Sequence, residues 1–160
     1  MSTAPIGSKH VIKTVIIYIR CMGFDWLGAD TDLNHTISAC TVSNNGHDGI
    51  ALINADGVAI TGSVIENSVR HGINVVGANN GSGNNLFEGN TISGNGSHGV
   101  SIWDTGCTNN TFQVNVFYGN SGDGIRVGTG GDGTLFYHNT FDNNGTGGSG
   151  SGINVNPGVT

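Results

Sequence analysis

Several side chains able to move a proton or to bind a carboxylate stand beside glycines in this 160-residue sequence. Asp48, His71 and His98 each directly precede a glycine, and Arg70 directly precedes His71. A carboxylate or an imidazole can act as a general base or acid once its pKa is modestly shifted. A guanidinium can bind a carboxylate through two parallel hydrogen bonds. If the elements that carry these residues align, the four side chains form one polar face.

The glycines beside these residues mark an internal repeat. Each is followed by an apolar, a polar and an apolar residue, except that Ala51 stands at the polar position after Gly49. The glycines are Gly49, Gly72, Gly99, Gly124 and Gly152, with a weaker copy at Gly23. Their successive spacings are 26, 23, 27, 25 and 28 residues. A period of this length is typical of stacked repeats rather than of an ordinary globular chain.

Apolar and polar residues also recur at fixed distances before each glycine. One apolar column, twelve residues before the glycine, contains Val11, Ile37, Ile60, Phe87 and Phe112, and Phe136 continues it. A second apolar column, seven residues before, contains Ile16, Val42, Ile65, Ile92 and Phe117. Two polar columns are Cys40, Ser63, Asn90, Asn115, Asn139 and Asn45, Ser68, Asn95, Asn120, Asn144. The alternation predicts short strands with one buried face, and the polar columns predict ladders of Asn side chains at the turns.

The repeat predicts an all-β fold, a single-stranded right-handed parallel β-helix (a solenoid) of about six coils. Three short strands form each coil, and the coils stack at about 4.8 Å. We expect the column that begins at Val11 to point inward. A sandwich or barrel fits less well, because turns every 8 to 12 residues or so do not explain matching columns with a far longer period.

The chain is expected to form one domain over residues 1–160. Its first coil begins almost at the N-terminus with no capping helix, so we expect a fragment of a longer β-helix. An uncapped coil exposes core residues and strand edges, which predicts a tendency to associate end to end.

Composition excludes several partners. The formal net charge is −6, and only five Lys and Arg are present, whereas a nucleic-acid interface needs clustered positive charge. The apolar run at 11–19 is far shorter than the roughly 20 residues that span a bilayer, and the N-terminal residues lack a signal-peptide pattern. Three cysteines leave at least one unpaired, so no disulfide framework is predicted.

Three stretches of the sequence resemble the catalytic module of bacterial mannuronan C5-epimerases. They are Gly23-Phe24-Asp25, Asn45-Gly46-His47-Asp48-Gly49 and Arg70-His71-Gly72-Ile73-Asn74-Val75-Val76. The resemblance runs roughly from Lys9 to Asn120. It implies a parallel β-helix that binds alginate in a cleft along its side, usually with Ca²⁺, in a full-length protein that lies outside the cell or on its surface. Asp25, Arg70 and His71 match the family's catalytic positions.

The sequence departs from this family at three positions. The family has a Tyr before Gly-Phe-Asp and a His two residues after the Asp, where this chain has Met22 and Leu27. A further family acid falls on Ile53. Epimerising or eliminating a uronate needs a neutralised carboxylate, a base for the C5 proton, and an acid at the other face or at the leaving oxygen. We therefore expect weak activity or none, unless His35 supplies the missing group.

Further residues are predicted to contact the substrate: Asp48, His98, Trp26 and Trp103. Each has a structural alternative, since an Asp or His beside Gly can cap backbone amides and a Trp can shield the edge of a core. Asp30 and Asp32 could hold Ca²⁺ or remain solvated acids, so the sequence assigns no metal site.

Two classes of function stay open. The first is a polyuronate-modifying enzyme, an alginate epimerase or lyase that acts on an acidic polysaccharide. The second is a non-catalytic β-helix that binds carbohydrate or serves as a structural, self-assembling module. The feature that distinguishes the two classes is the placement of Asp25, Arg70, His71 and His98. An enzyme requires that they converge on one open groove.

Overall fold

A computed structural model describes residues 11–13, 16–17, 24–27, 35–77 and 81–160, with side chains for 35–77 and 81–160. The strands are β1 (Val11–Lys13), β2 (Ile16–Ile17), β3 (Phe24–Leu27), β4 (Thr36–Ser38), β5 (Thr41–Ser43), β6 (Ile50–Ile53), β7 (Ala59–Thr61), β8 (Val64–Glu66), β9 (Ile73–Val76), β10 (Leu86–Glu88), β11 (Thr91–Ser93), β12 (Val100–Trp103), β13 (Thr111–Gln113), β14 (Val116–Tyr118), β15 (Ile125–Val127), β16 (Leu135–Tyr137), β17 (Thr140–Asp142) and β18 (Ile153–Val155). The described residues form no helix, and hence none that is long and apolar enough to cross a membrane.

Every third strand joins the same sheet, and all pairings are parallel. The first sheet is β1-β4-β7-β10-β13-β16, the second is β2-β5-β8-β11-β14-β17, and the third is β3-β6-β9-β12-β15-β18. Each strand therefore pairs with the equivalent strand one coil away. The predicted all-β parallel solenoid is confirmed. Six strands in a sheet are separated by five turns of the chain, so the described solenoid has about five full turns where six coils were predicted.

The core consists of the predicted apolar columns. Phe87 pairs with Phe112, which in turn pairs with Phe136, and the aromatic rings follow the same register. Phe112 is completely buried, as predicted, whereas Phe136 in the last coil is only half-buried. The period-2 pattern therefore identified the inward side of these strands correctly.

The first coil departs from the predicted columns by one residue. Val11 pairs with Thr36, and it is Ile12 that lies level with Ile37. Likewise Ile17, not Ile16, lies level with Val42. The reason is the length of the next turn: Phe24 lies seven positions after Ile17, whereas Ile50 lies eight positions after Val42. Counting a fixed distance back from Gly23 was therefore wrong in this coil.

The repeated glycine is required by a close approach between coils. A Cβ atom at Gly72 would lie 2.7 Å from the carbonyl oxygen of Gly99. At Gly99 it would lie 2.6 Å from the carbonyl oxygen of Gly124. Real Cβ atoms do not approach backbone oxygen this closely, so any side chain here would push neighbouring coils apart. The marker glycine thus sets the tight turn that enters each strand of the third sheet.

The two predicted ladders of polar side chains are present. In one of them the Asn115 Oδ1 accepts hydrogen bonds from the Asn90 backbone N–H at 2.9 Å and from its Nδ2 at 3.0 Å. A third ladder, at the turn that leads into the first sheet, was not predicted. There the Val58 N–H donates to Asn85 Oδ1 and the Asn85 N–H donates to Asn110 Oδ1. These ladders satisfy buried backbone groups where the strands end.

Candidate functional site

The third sheet carries a groove of about 350 Å³ on its outer side. Its lining residues come from three consecutive coils: Arg70, His71, Asn74, Val76, His98, Ser101, Trp103, Asp104 and Arg126. Asn74, Ser101 and Arg126 stand at the same register position of β9, β12 and β15. They form the floor, because this position alternates with the inward ones along each strand. The groove therefore follows the stacking direction of the coils.

A second groove of about 330 Å³ adjoins the first on the same side of the solenoid. The two share His98 and Arg126. The second is completed by Asp123, residues 149–151 and Asn154. Residues 149–151 lie at the end of the Gly- and Ser-rich insertion of the last repeat. Together the grooves extend from the coil of Arg70 to the coil of Asn154.

The residues that directly precede the marker glycines form a chain of hydrogen-bond acceptors between coils. Asp48 Oδ1 accepts from the N–H of His71, and His71 Nδ1 accepts from the N–H of His98. His98 Nδ1 then accepts from the N–H of Asp123, whose Oδ1 accepts from the N–H of Ser151. Each side chain therefore caps a backbone amide of the following coil. We call Asp48, His71, His98 and Asp123 the acceptor column.

Asp48, predicted as a substrate-binding residue, uses its carboxylate within the protein. It is 5% exposed. Its Oδ1 lies 3.7 Å from Arg70 Nε, and its Oδ2 lies 3.1 Å from Asn74 Nδ2 and 3.2 Å from His47 Nδ1. Arg70 Nη1 also lies 2.8 Å from His47 Nε2. Since Arg can only donate, His47 accepts at Nε2 and donates from Nδ1 to Asp48.

His71 and His98 are largely buried, neutral imidazoles. Their rings stack at 5.3 Å with planes 7° apart. Burial lowers the pKa of His71 from 6.5 to about 4, although Asp48 opposes the shift, and burial also lowers the pKa of His98 against the opposing effect of Asp123. Because each Nδ1 accepts a backbone N–H, the remaining ring proton of each resides on Nε2.

The contact of 3.4 Å between His98 Nδ1 and Asp123 Oδ2 is therefore not an ion pair. The backbone N–H of Asp123 is nearer, at 2.9 Å, and it can only donate. An imidazole protonated at Nδ1 would lose that bond. The lowered pKa of His98 agrees with a neutral ring.

Arg126 lies across the boundary between the two grooves. Its guanidinium carbon stands 5.5 Å from the centre of the Trp103 ring, a cation–π contact, and its Nη1 is 3.4 Å from His98 Nε2. The Trp103 side chain is 43% exposed, so its ring remains available to a ligand. Sequence reasoning missed Arg126. Its signal was the polar position two residues after Gly124, which is the position that Asn74 and Ser101 occupy after their own glycines.

The structure brings Arg70, His71, His98 and Trp103 to one groove and places Asp48 directly behind it. For Asp25 and Trp26 only the backbone is described. Asp25 pairs with Ala51, which pairs with Asn74 on the groove floor, whereas Trp26 pairs with Leu52 in the adjacent column. Asp25 therefore occupies the register position of the floor, about two coil steps, or roughly 10 Å, from Asn74. The roles predicted for all these residues stay predictions.

Other predicted candidates lie elsewhere. His35 is buried and lines neither groove. Asp30 and Asp32 lie outside the described residues. Within the described part of the chain, no three His, Cys, Asp or Glu side chains are grouped to hold a metal ion. The Ca²⁺ that the family resemblance implies therefore stays a prediction.

The acceptor column predicts that stability falls in mild acid. His71 has a lower pKa folded, about 4, than unfolded, 6.5, so the unfolded chain binds the extra proton more readily. Its contribution to stability is complete above pH 6.5 and is lost as the pH falls toward 4. Between pH 7 and pH 5 the loss from this group amounts to about 2 kcal/mol. Urea unfolding at the two pH values, followed by circular dichroism, measures it.

His71→Asn is the matched control for this effect. An Asn can retain the acceptor, since Asp48 and Asp123 cap the same kind of amide with a side chain of that length. It does not titrate in this range. We expect the variant to lose about 2 kcal/mol of the difference between pH 7 and pH 5. An identical pH dependence in both proteins would show that His71 is not held neutral by burial.

The sequence matches the family described as right handed beta helix region over residues 26–159. A search of curated proteins found no match. The solenoid superposes on the mannuronan C-5 epimerase AlgE6 A-module of Azotobacter vinelandii with a TM-score of 0.81 and 22% identity, covering 92% of this chain and 38% of that one.

Two further solved structures share the fold. The AlgE4 A-module of Azotobacter vinelandii gives a TM-score of 0.59 and 17% identity, covering 96% of this chain and 46% of that one. The periplasmic alginate epimerase AlgG gives 0.55 and 18%, covering 79% and 35%. The chain thus spans less than half of each. The resemblance predicted from the sequence is confirmed at the level of the fold.

Proposed function

The chain belongs to the right-handed β-helix family, and on that premise we propose that it binds an acidic polysaccharide such as alginate along its third sheet. One observation carries the proposal. The chain has five Lys and Arg and a net charge of −6, yet both cations whose side chains are described, Arg70 and Arg126, line the same groove. Positive charge gathered on one face of an acidic protein favours an anionic ligand.

The groove also offers what a sugar chain needs besides charge. Trp103 presents an exposed ring on which a sugar can pack, and Asn74 and Ser101 provide an amide and a hydroxyl on the floor. The groove is open and follows the coils, which suits a polymer better than a compact small molecule. The names of the structural neighbours support the same class of ligand, since they are mannuronan and alginate epimerases.

We further propose that a catalytic form of this site would act at C5 of a uronate. A base removes the C5 proton, and the electron pair delocalises into the carboxylate. Epimerisation returns a proton to the opposite face, whereas elimination breaks the bond from C4 to the leaving oxygen. With its proton on Nε2, His71 is a hydrogen-bond donor rather than a base, so we assign the base role to Asp25. No step is assigned to Ca²⁺.

The test of binding is isothermal titration with oligomannuronate at two salt concentrations. We expect binding that weakens with added salt, because the arginines are partly exposed. Trp103→Ala should weaken it several-fold through loss of ring contact. Tyr118→Ala is the control, since Tyr118 is equally exposed, at 45%, but lies on the second sheet. Equal effects of the two variants, or no heat from the unchanged protein, would contradict the proposed groove.

The test of catalysis is proton exchange with polymannuronate in deuterated water, read by NMR. Because Met22 and Leu27 replace a Tyr and a His of the related family, we expect slow incorporation of deuterium at C5 or none. Where incorporation occurs, Asp25→Asn should lower its rate about a hundredfold or more. Incorporation of deuterium at full rate in Asp25→Asn would show that Asp25 is not the base.

A non-catalytic, self-assembling module is the second candidate, and one observation favours it. In the last coil, residues of the inward columns are partly uncovered, among them Phe136 and Phe141, while Ile153 and Val155 are exposed. This apolar end can stack on another copy of the chain. Concentration-dependent sedimentation that Ile153→Lys abolishes, without binding of oligomannuronate, would favour assembly over polysaccharide binding. We further propose that the full-length molecule acts outside the cytoplasm, since one structural neighbour is a periplasmic alginate epimerase.

A further inference from the structure

We infer that Arg126 is the residue that binds a carboxylate of the sugar chain, and that the second groove holds the adjoining sugar. The inference rests on the proposed function, because it identifies where an acidic polysaccharide is recognised. It differs from the expectation drawn from sequence, which gave carboxylate binding to Arg70. The observations that carry it are the partners of the two guanidinium groups and the position of Arg126 between the two grooves.

The positive charge of Arg126 has no anionic partner in the part of the chain that the structure describes. Its side chain is half-buried, and no described carboxylate lies within 4.0 Å of it. Its Nε is buried and donates no hydrogen bond to any described group. The near neighbour at Nη1, His98 Nε2, carries the ring proton itself, so two donors face one another at 3.4 Å. An unpaired guanidinium in such a setting favours binding of an anion.

Arg70 differs in just these respects. Its Nε faces the Asp48 carboxylate at 3.7 Å, and its Nη1 donates to His47 at 2.8 Å. Its charge is thus already partly balanced by a neighbouring coil. A substrate carboxylate would have to compete with Asp48 for this arginine, whereas at Arg126 no such competitor is described. Arg126 is therefore the stronger of the two anion sites.

The position of Arg126 connects the two grooves. Its guanidinium is packed over Trp103, and it lines both grooves together with His98. Arg126 pairs in register with Ser101 on one side and with Asn154 on the other. Ser101 lies on the floor of the first groove, and Asn154 lines the second groove. A sugar chain that follows the coils must therefore pass Arg126 as it crosses from one groove to the next.

The second groove is suited to the uncharged part of a neighbouring sugar. Besides Arg126 its lining contains no Lys or Arg, and it offers hydroxyl and amide groups from Ser149, Ser151 and Asn154. Asp123 is buried there and already accepts hydrogen bonds from Ser151 N–H and from Asn154 Nδ2. We therefore assign the carboxylate to the junction and sugar hydroxyls to the second groove.

The experiment compares oligomannuronates of increasing length with neutral oligomannose of equal length by isothermal titration. Arg126→Gln should weaken binding of oligomannuronate about tenfold to a hundredfold, since a hydrogen-bonded charge pair is lost. It should leave binding of neutral oligomannose unchanged. The affinity of Arg126→Lys for oligomannuronate should lie between those of the unchanged protein and of Arg126→Gln, because an ammonium keeps the charge without the planar fork. Arg70→Gln should have a smaller effect than Arg126→Gln.

Chain length tests the second groove. Ser149 stands at an exposed position on the wall of this groove. We expect Ser149→Trp to weaken the binding of the longer oligomers and to leave the binding of the shortest one unchanged. Equal affinity of all lengths in the unchanged protein, or no effect of Ser149→Trp at any length, would overturn the assignment of the second groove.

The outcomes separate this inference from the proposed function. If the unchanged protein binds no oligomannuronate, the proposed function fails and the inference fails with it. If it binds and Arg126→Gln binds equally well, only the inference fails. Urea unfolding of each variant shows whether it is folded, and Arg126→Lys keeps the charge should Arg126→Gln not fold. If Arg126→Gln binds oligomannuronate with full affinity and Arg70→Gln does not, then Arg70 is the residue that binds the carboxylate.

Discussion

Replacing Phe112 by Ala is expected to lower the free energy of unfolding by about 3 to 5 kcal/mol, because the change removes a buried ring and leaves a cavity. Phe112 is completely buried. Its ring stacks on Phe87 at 4.4 Å and on Phe136 at 5.7 Å. The deletion therefore removes contacts with the coils on both sides. Urea unfolding followed by circular dichroism measures the loss.

Phe136→Ala is the control within the same column. Phe136 is half-buried in the last coil, and its ring stacks on Phe112 alone among the described aromatic side chains. We expect a smaller loss there, since fewer contacts disappear and water can enter the space. A loss at Phe112 no larger than the loss at Phe136 would show that the interior is not packed around this column.

Replacing Asn115 by Ala is expected to cost about 2 to 6 kcal/mol, because two buried backbone groups lose a partner and each such loss costs about 1 to 3 kcal/mol. The Asn90 N–H loses its acceptor, Asn115 Oδ1, at 2.9 Å. The Phe87 carbonyl loses its donor, Asn115 Nδ2, at 2.9 Å. The same unfolding measurement applies.

Asn139→Ala provides the comparison for the ladder. Asn139 makes equivalent bonds, accepting from Asn115 and donating to the Phe112 carbonyl, but it lies half-exposed in the last coil. Water can replace its bonds, so we expect a loss of about 1 kcal/mol or less. Similar losses at Asn115 and Asn139 would mean that burial does not control the strength of the ladder.

Much of the fold could be predicted because stacked coils repeat their contacts at a nearly constant interval. The Phe and Asn columns were visible as soon as residues were counted from the marker glycine. The count failed where a turn differed in length, as between Ile17 and Phe24. The third ladder was harder to see because its column is mixed. Asn85 and Asn110 lie 14 residues before Gly99 and Gly124, but His35 and Val58 hold that position before Gly49 and Gly72.

The site could be predicted only in part, since its chemistry depends on which atoms meet between coils. The sequence indicated that His71 and His98 would be neighbours. It did not show that each Nδ1 caps a backbone amide, because that depends on the turn preceding each marker glycine. Nor could it show that Arg70 is already engaged by Asp48 while Arg126 has no described anionic partner. Knowing which residues are neighbours in a column does not reveal which arginine is paired with a carboxylate.

The acceptor column limits how this protein can vary. Asp48, His71, His98 and Asp123 each hold a backbone amide of the following coil, and His71 and His98 also line the groove. A replacement at these positions must still present a lone pair at the same place, which restricts the choice largely to Asp, Asn, Ser, Thr and His. A substitution here that introduces a stronger base or a new specificity would thus remove a hydrogen bond between two coils. Libraries that search for altered activity should vary the floor positions 74, 101 and 126 instead, whose side chains accept no described hydrogen bond from a backbone amide of a neighbouring coil.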